Sequence, residues 1–223
     1  MVQRDYILRL IEQLGPGAAA LLRSAEQRKG LQYREAGRTI DQALRQYFGL
    51  DTEAVRGLSA EELVALVRLG HSPLIGSDAL VDKLGLLAAL LGEQAELDTA
   101  QGDPEGGADC ALRALQISLI VLTEDDPNAA RAVGALDPLL GQLAGYELPR
   151  PTMALLWRHY ERAGEYGRAE DWLFTLLDDD PAALPEALAF YERLASRSDR
   201  ELARGNLPRE EVAAGLAELR ARA

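Results

Sequence analysis

Residues Tyr160–Pro181 read YERAGEYGRAEDWLFTLLDDDP, and the fold is decided by how this stretch is read. Its pattern predicts a helix, a tight turn, a second helix and a stop, which together make a helical hairpin. A hairpin of this kind specifies how the chain folds and what sort of surface it presents. It carries no chemistry that identifies a reaction.

The composition extends that reading to the whole chain. With 223 residues, 48% of them hydrophobic, there is enough apolar material for one large domain or two small ones. Aromatic residues make up only 5%, Ala and Leu dominate and β-branched residues are few, so the class expected is all-α. A formal net charge of −12 opposes both phosphate backbones and anionic lipid, and nucleic acid and membrane are not expected as partners. The longest apolar runs, Leu84–Leu91, which Gly85 interrupts, and Ile117–Leu122, are far shorter than the roughly 20 residues that span a bilayer. The opening MVQRDYILRLIEQLG interleaves charge with apolar residues and reads as no secretory signal, and the single Cys110 suits a reducing compartment. A cytoplasmic location is expected.

Working outward from the hairpin, Gly145–Pro151 holds two prolines and is the best candidate for a boundary between an N-terminal region, 1–148, and a C-terminal region, 149–223. Upstream, Ile7, Leu10, Ile11 and Leu14 share one helix face, and Tyr6 and Leu8 widen it. That helix is either sandwiched in a core or also meets another subunit. Gly15-Pro16-Gly17 breaks it, and further helices are predicted over Ala18–Gln27, Tyr33–Phe48 and, after a short turn at Asp51–Gly57, Leu63–Leu69. Ser59 and Glu62 form a capping box for the last of these. After the loop GHSPLIG at Gly70–Gly76, a long helix runs from Asp78 to Ala100, and Gly102-Asp103-Pro104 ends it and starts the next, which reaches about Leu122. Asn128–Leu143 is read as one helix with an irregularity at Asp137-Pro138. Beyond the hairpin come Leu184–Ala195 and a final helix after Pro208 that reaches Arg220.

The central stretch resembles the tetratricopeptide repeat family. Tyr160, Gly164, Tyr166, Ala169, Leu173, Leu176 and Pro181 occupy its aromatic, Gly, aromatic, Ala, large, apolar and Pro places. On that likeness Gly164 turns the chain, Ala169 lets the helices approach, the two tyrosines fill the seam and Pro181 stops the second helix. Trp157 stands where the family favours Gly, so a looser or differently packed contact is expected there. Tyr33 with Ala36, and Gly102-Asp103 followed by Gly107, Ala111 and Ala114, echo the unit less exactly. The resemblance implies an α–α superhelix of stacked hairpins. In that family the first helix of each repeat lines the groove, which here implies Ala154, Arg158, Glu161 and Arg162. With its opening MVQRDYILRLIEQLG and this ending, the chain as a whole also looks like a bacterial family of uncharacterised function, a likeness that brings no activity with it.

Arg158 and Arg162 are four residues apart and point the same way. They either receive a carboxylate or an acidic peptide, or pair with Glu161, Glu165 and other nearby acids as a solvated face, which is the commoner arrangement. Chemistry elsewhere is sparse. The two histidines, His71 and His159, have no metal-ligand spacing, Ser72 beside His71 lacks the glycine context of a nucleophile elbow, and Cys110 on an Ala-rich helix reads as core. Glu124-Asp125-Asp126 and Asp178-Asp179-Asp180 lack the Gly and distal Glu of a calcium loop, and the Asp before each proline reads as a cap for the following helix. No metal or cofactor is expected. The function expected is non-catalytic binding of a protein or peptide by an adaptor or regulatory scaffold. The alternatives are a structural homo-oligomer assembled through Tyr6 and Leu8 and, more weakly, a helical hydrolase using convergent carboxylates.

Overall fold

A computed structural model describes residues 31–70, 77–123, 126 and 128–222. The first predicted helix with Tyr6 and Leu8, the segment 18–27, most of the GHSPLIG loop with His71 and Ser72, and Glu124 and Asp125 lie outside the described residues. Among the described residues every regular element is helical: twelve α-helices, one 3-10 turn and no strand. The chain divides after Tyr146 into two compact units.

The first unit contains α1 (Leu31–Phe48), α2 (Thr52–Arg56), α3 (Ala60–Leu69), α4 (Ser77–Ala100), α5 (Pro104–Thr123), α6 (Ala129–Ala132) and α7 (Asp137–Gln142). Its core is the antiparallel pair α4 and α5, against which α1, α3, α6 and α7 pack. The pair turns at Gly102, whose φ of +89° suits a residue without Cβ, and Asp103 then caps α5 by accepting from the Gly106 amide at 2.9 Å. Both long helices bury apolar residues around most of their circumference, as helices surrounded by neighbours do: Leu84, Leu87, Leu91 and Leu97 on α4, and Leu115, Ile117, Leu119 and Val121 on α5. By length and composition α5 is apolar enough to cross a bilayer, and over half of that stretch is buried in the unit. Small residues set the spacing: a methyl on Gly107 would lie 2.8 Å from the Ala95 carbonyl oxygen, and Ala111 and Ala114 are fully buried. The capping box on α3 is formed, with Ser59 Oγ accepting from the Glu62 amide and Glu62 accepting from the Ser59 amide.

One helix expected over Asn128–Leu143 is in fact two, α6 and α7, separated by extended backbone at the buried Val133. Pro138 has no amide to donate and is tolerated only in a first turn, so the helix has to restart there.

The second unit contains α8 (Arg150–Ala163), α9 (Tyr166–Asp179), a 3-10 turn at Pro181–Ala183, α10 (Leu184–Ala195), α11 (Asp199–Arg204) and α12 (Arg209–Arg222). Helices α8 and α9 form the predicted hairpin. Gly164 adopts φ +76° and the Glu165 amide donates back to the Tyr160 carbonyl at 2.9 Å. Tyr160, Tyr166, Ala169, Leu173 and Leu176 are buried. Helices α10 and α12 make a second hairpin with α11 in the connection. Helix α11 was not expected from the sequence, although Ser198 and Glu201 form a complete capping box at its start. Asp180 accepts from the Ala182 amide at 3.0 Å, the cap expected of the Asp before Pro181, and Asp126 accepts from the Asn128 amide at 2.8 Å.

Candidate binding face and buried polar cluster

Helix α8 is amphipathic. Met153, Leu156, Trp157 and Tyr160 are buried, and the opposite side carries the four residues expected to line a groove. Ala154 and Glu161 are half-buried and Arg158 and Arg162 are exposed. Helix α10 lies alongside, with Phe190 meeting the edge of Trp157 at a centroid distance of 6.2 Å. At 3% exposure the indole fills this seam, so of the two arrangements expected at Trp157, looser or differently packed, it is the different packing that is found.

Two ion pairs of opposite sense join α8 to α10. Arg158 donates one guanidinium nitrogen to both carboxylate oxygens of Glu186 at 3.0 Å, and Glu161 accepts from Arg193 through Nε at 2.8 Å and Nη2 at 2.9 Å. Arg158 also lies over the Trp157 ring, 5.2 Å from its centroid. Thus Arg158 and Glu161 each have an intramolecular partner, both on α10, while Arg162 is one turn further along. The side chains of Arg158 and Glu186 are 48% and 47% exposed, so this pair belongs to the surface class worth about 0–1 kcal/mol. Glu161 is different: its side chain is only 19% exposed and its bond is the two-pronged kind that fixes geometry. His159 packs against Tyr160, and burial lowers its pKa, favouring the neutral ring. Asp179, in the acidic run at the end of α9, is answered by Arg150 at 2.5 Å.

The first unit holds a cluster that the sequence reading did not single out. Asp98, 5% exposed, accepts from Arg56 at 2.5 Å and from Gln94 Nε2 at 2.7 Å, and the Cys110 thiol lies 3.7 Å from the same carboxylate. Arg113 donates to the Leu58 and Arg56 carbonyls, both at 2.7 Å, and so ties the end of α2 to α5. Arg56 Nε and Gln94 Oε1 are buried without a hydrogen-bond partner among the described residues. A faint signal was available: Leu91, Gln94, Ala95 and Asp98 fall at i, i+3, i+4 and i+7, placing two polar groups on an apolar stripe. Burial first, and then Asp98, push the Cys110 thiol up to about 11, which leaves it protonated and unreactive. Among the described residues no group of His, Cys, Asp and Glu could hold a metal ion.

Neither a curated protein nor a solved structure matches the chain. A family profile matches residues 1–223 from end to end, and the chain belongs to that family, the family of unknown function DUF6483.

Proposed function

We propose that the C-terminal unit is a tetratricopeptide-like pair of stacked hairpins that binds a peptide or protein segment across the exposed faces of α8 and α10, acting by binding and not by catalysis. The observation that carries this reading is the crossed pair of bridges, Arg158 to Glu186 and Arg193 to Glu161, on adjacent helices. Each bridge presents charge at a fixed place on a face backed by the buried Trp157 and Phe190. The two differ in how readily they open. Glu161 is held to Arg193 in a shielded, two-pronged bond and maintains the face, whereas Arg158 holds a half-exposed Glu186 that an incoming carboxylate replaces at little cost. Arg162 supplies a second cation one turn on, so the ligand favoured is an acidic segment.

The test is a library of Asp- and Glu-rich peptides scored by fluorescence polarisation against the full chain. Arg158→Ala with Arg162→Ala should lower affinity by about tenfold or more, as expected from losing a charge-assisted bond of ~1.5–3 kcal/mol. Glu186→Gln should raise it by releasing Arg158. Unchanged capture in both variants sinks the proposal.

A further inference from the structure

Tyr191 is a large, fully buried side chain on α10, and its hydroxyl donates to Glu170 Oε1 on α9. The third wall of this site is α12, whose Gly215 lies so close to the Tyr191 ring that no Cβ fits between them. Glu170 is therefore a half-buried carboxyl where three helices meet. The groups that act on it are Asp171 on its own helix, Tyr191 on α10 and Glu211 on α12, and Glu218 on α12 acts on the same phenol. Burial, foremost, raises the pKa of Glu170, with Glu211 and Asp171 adding to it and the phenol bond opposing. Burial and the same bond raise that of Tyr191, so the phenol remains a donor. A proton on Glu170 removes the charge and leaves an oxygen to accept from Tyr191.

We propose that Glu170 is a proton-operated latch for the C-terminal helix: neutral, it lets α12 seat on the Tyr191 ring; ionised, it repels Glu211 and loosens that seat. The direction follows from linkage. A carboxyl whose folded pKa lies above its unfolded value stabilises the fold fully below the ordinary 4.5 and loses that contribution as pH rises through the folded pKa. His159 in the same unit titrates with the opposite sign, so the readout has to be a difference between the chain and a variant at one pH.

Hydrogen exchange of the peptide 209–222 in the full chain, compared with Glu170→Gln at about pH 4.5 and about pH 7.5, provides it. The amide of Gln mimics the neutral carboxyl and keeps an acceptor for Tyr191. At neutral pH α12 should open several-fold more slowly in Glu170→Gln than in the unaltered chain, and in acid the two should coincide. A ratio that is the same at both pH values, or a change spread evenly over α8 to α12, overturns the latch. Glu211→Gln leaves Glu170 in place and should also slow the opening at neutral pH; no effect there overturns the latch as well.

Discussion

Cutting the Arg56–Asp98 pair from one side should cost far more than cutting it from the other. The Asp98 side chain is 7% exposed, whereas that of Arg56 is 36% exposed and has Asp103 within 3.8 Å. Arg56→Ala leaves a carboxylate inside the protein with only Gln94 and the Cys110 thiol, an uncompensated buried charge that costs about 3–5 kcal/mol. Asp98→Ala lets the guanidinium turn to solvent and toward Asp103, so the loss is mainly the Gln94 amide left without its acceptor, about 1–3 kcal/mol. Removing both partners should be milder than Arg56→Ala alone, because no charge is stranded. Urea unfolding followed by circular dichroism measures the three losses. The single cysteine supplies a local readout: Cys110 is 1% exposed and sits on this cluster, so a thiol reagent reports its opening. At ~1.4 kcal/mol per tenfold, labelling in Arg56→Ala should be roughly two to three and a half orders of magnitude faster. If Asp98→Ala is as damaging as Arg56→Ala, or the double variant loses the full sum, the burial asymmetry is not what governs the pair.

Other consequences are checked in the same way. Gly107→Ala should destabilise the first unit by about 1–3 kcal/mol despite Ala's better helix propensity, since the methyl meets the Ala95 carbonyl oxygen at 2.8 Å and the Thr99 hydroxyl; a gain in thermal stability contradicts this. Gly164→Ala should cost about 1–2 kcal/mol, because φ is +76° there and an L side chain is strained; an unchanged thermal stability contradicts this. His159 has its pKa lowered by burial, so its contribution to stability is present above its ordinary 6.5 and is lost as pH falls through the window below it. Both tryptophans, Trp157 and Trp172, are in the second unit, so their fluorescence follows that loss, and His159→Gln should flatten it.

Most of the local structure could be read from one-dimensional pattern. The turn at Gly164, the stop and restart at Gly102-Asp103-Pro104 and the cap at Ser59 all rest on residues within a few positions of one another, where backbone freedom and orphan amides leave few choices. The break at Val133 is harder to read, because a proline such as Pro138 fits both an irregularity within a helix and the first turn of a new one. On the exposed face of α8, the sequence placed Arg158 and Glu161 on one side but did not reveal Glu186 and Arg193, which are 28 and 32 residues away. The Asp98 cluster was harder still, since Arg56 is 42 residues distant and reaches it only once α2 is pinned by Arg113.

By itself the sequence determined the helical class, most helix ends, the α8–α9 hairpin and an overall charge averse to phosphate, because these depend on propensity, local hydrogen bonding and composition. Only the tertiary structure decided that Trp157 packs against Phe190 on α10, that Arg158 meets a half-exposed Glu186 while a largely shielded Glu161 meets Arg193, and that Glu170 meets Tyr191 beside α12. Those outcomes depend on solvent exposure and on which distant side chain arrives within hydrogen-bond reach. Neither quantity exists until the helices have packed.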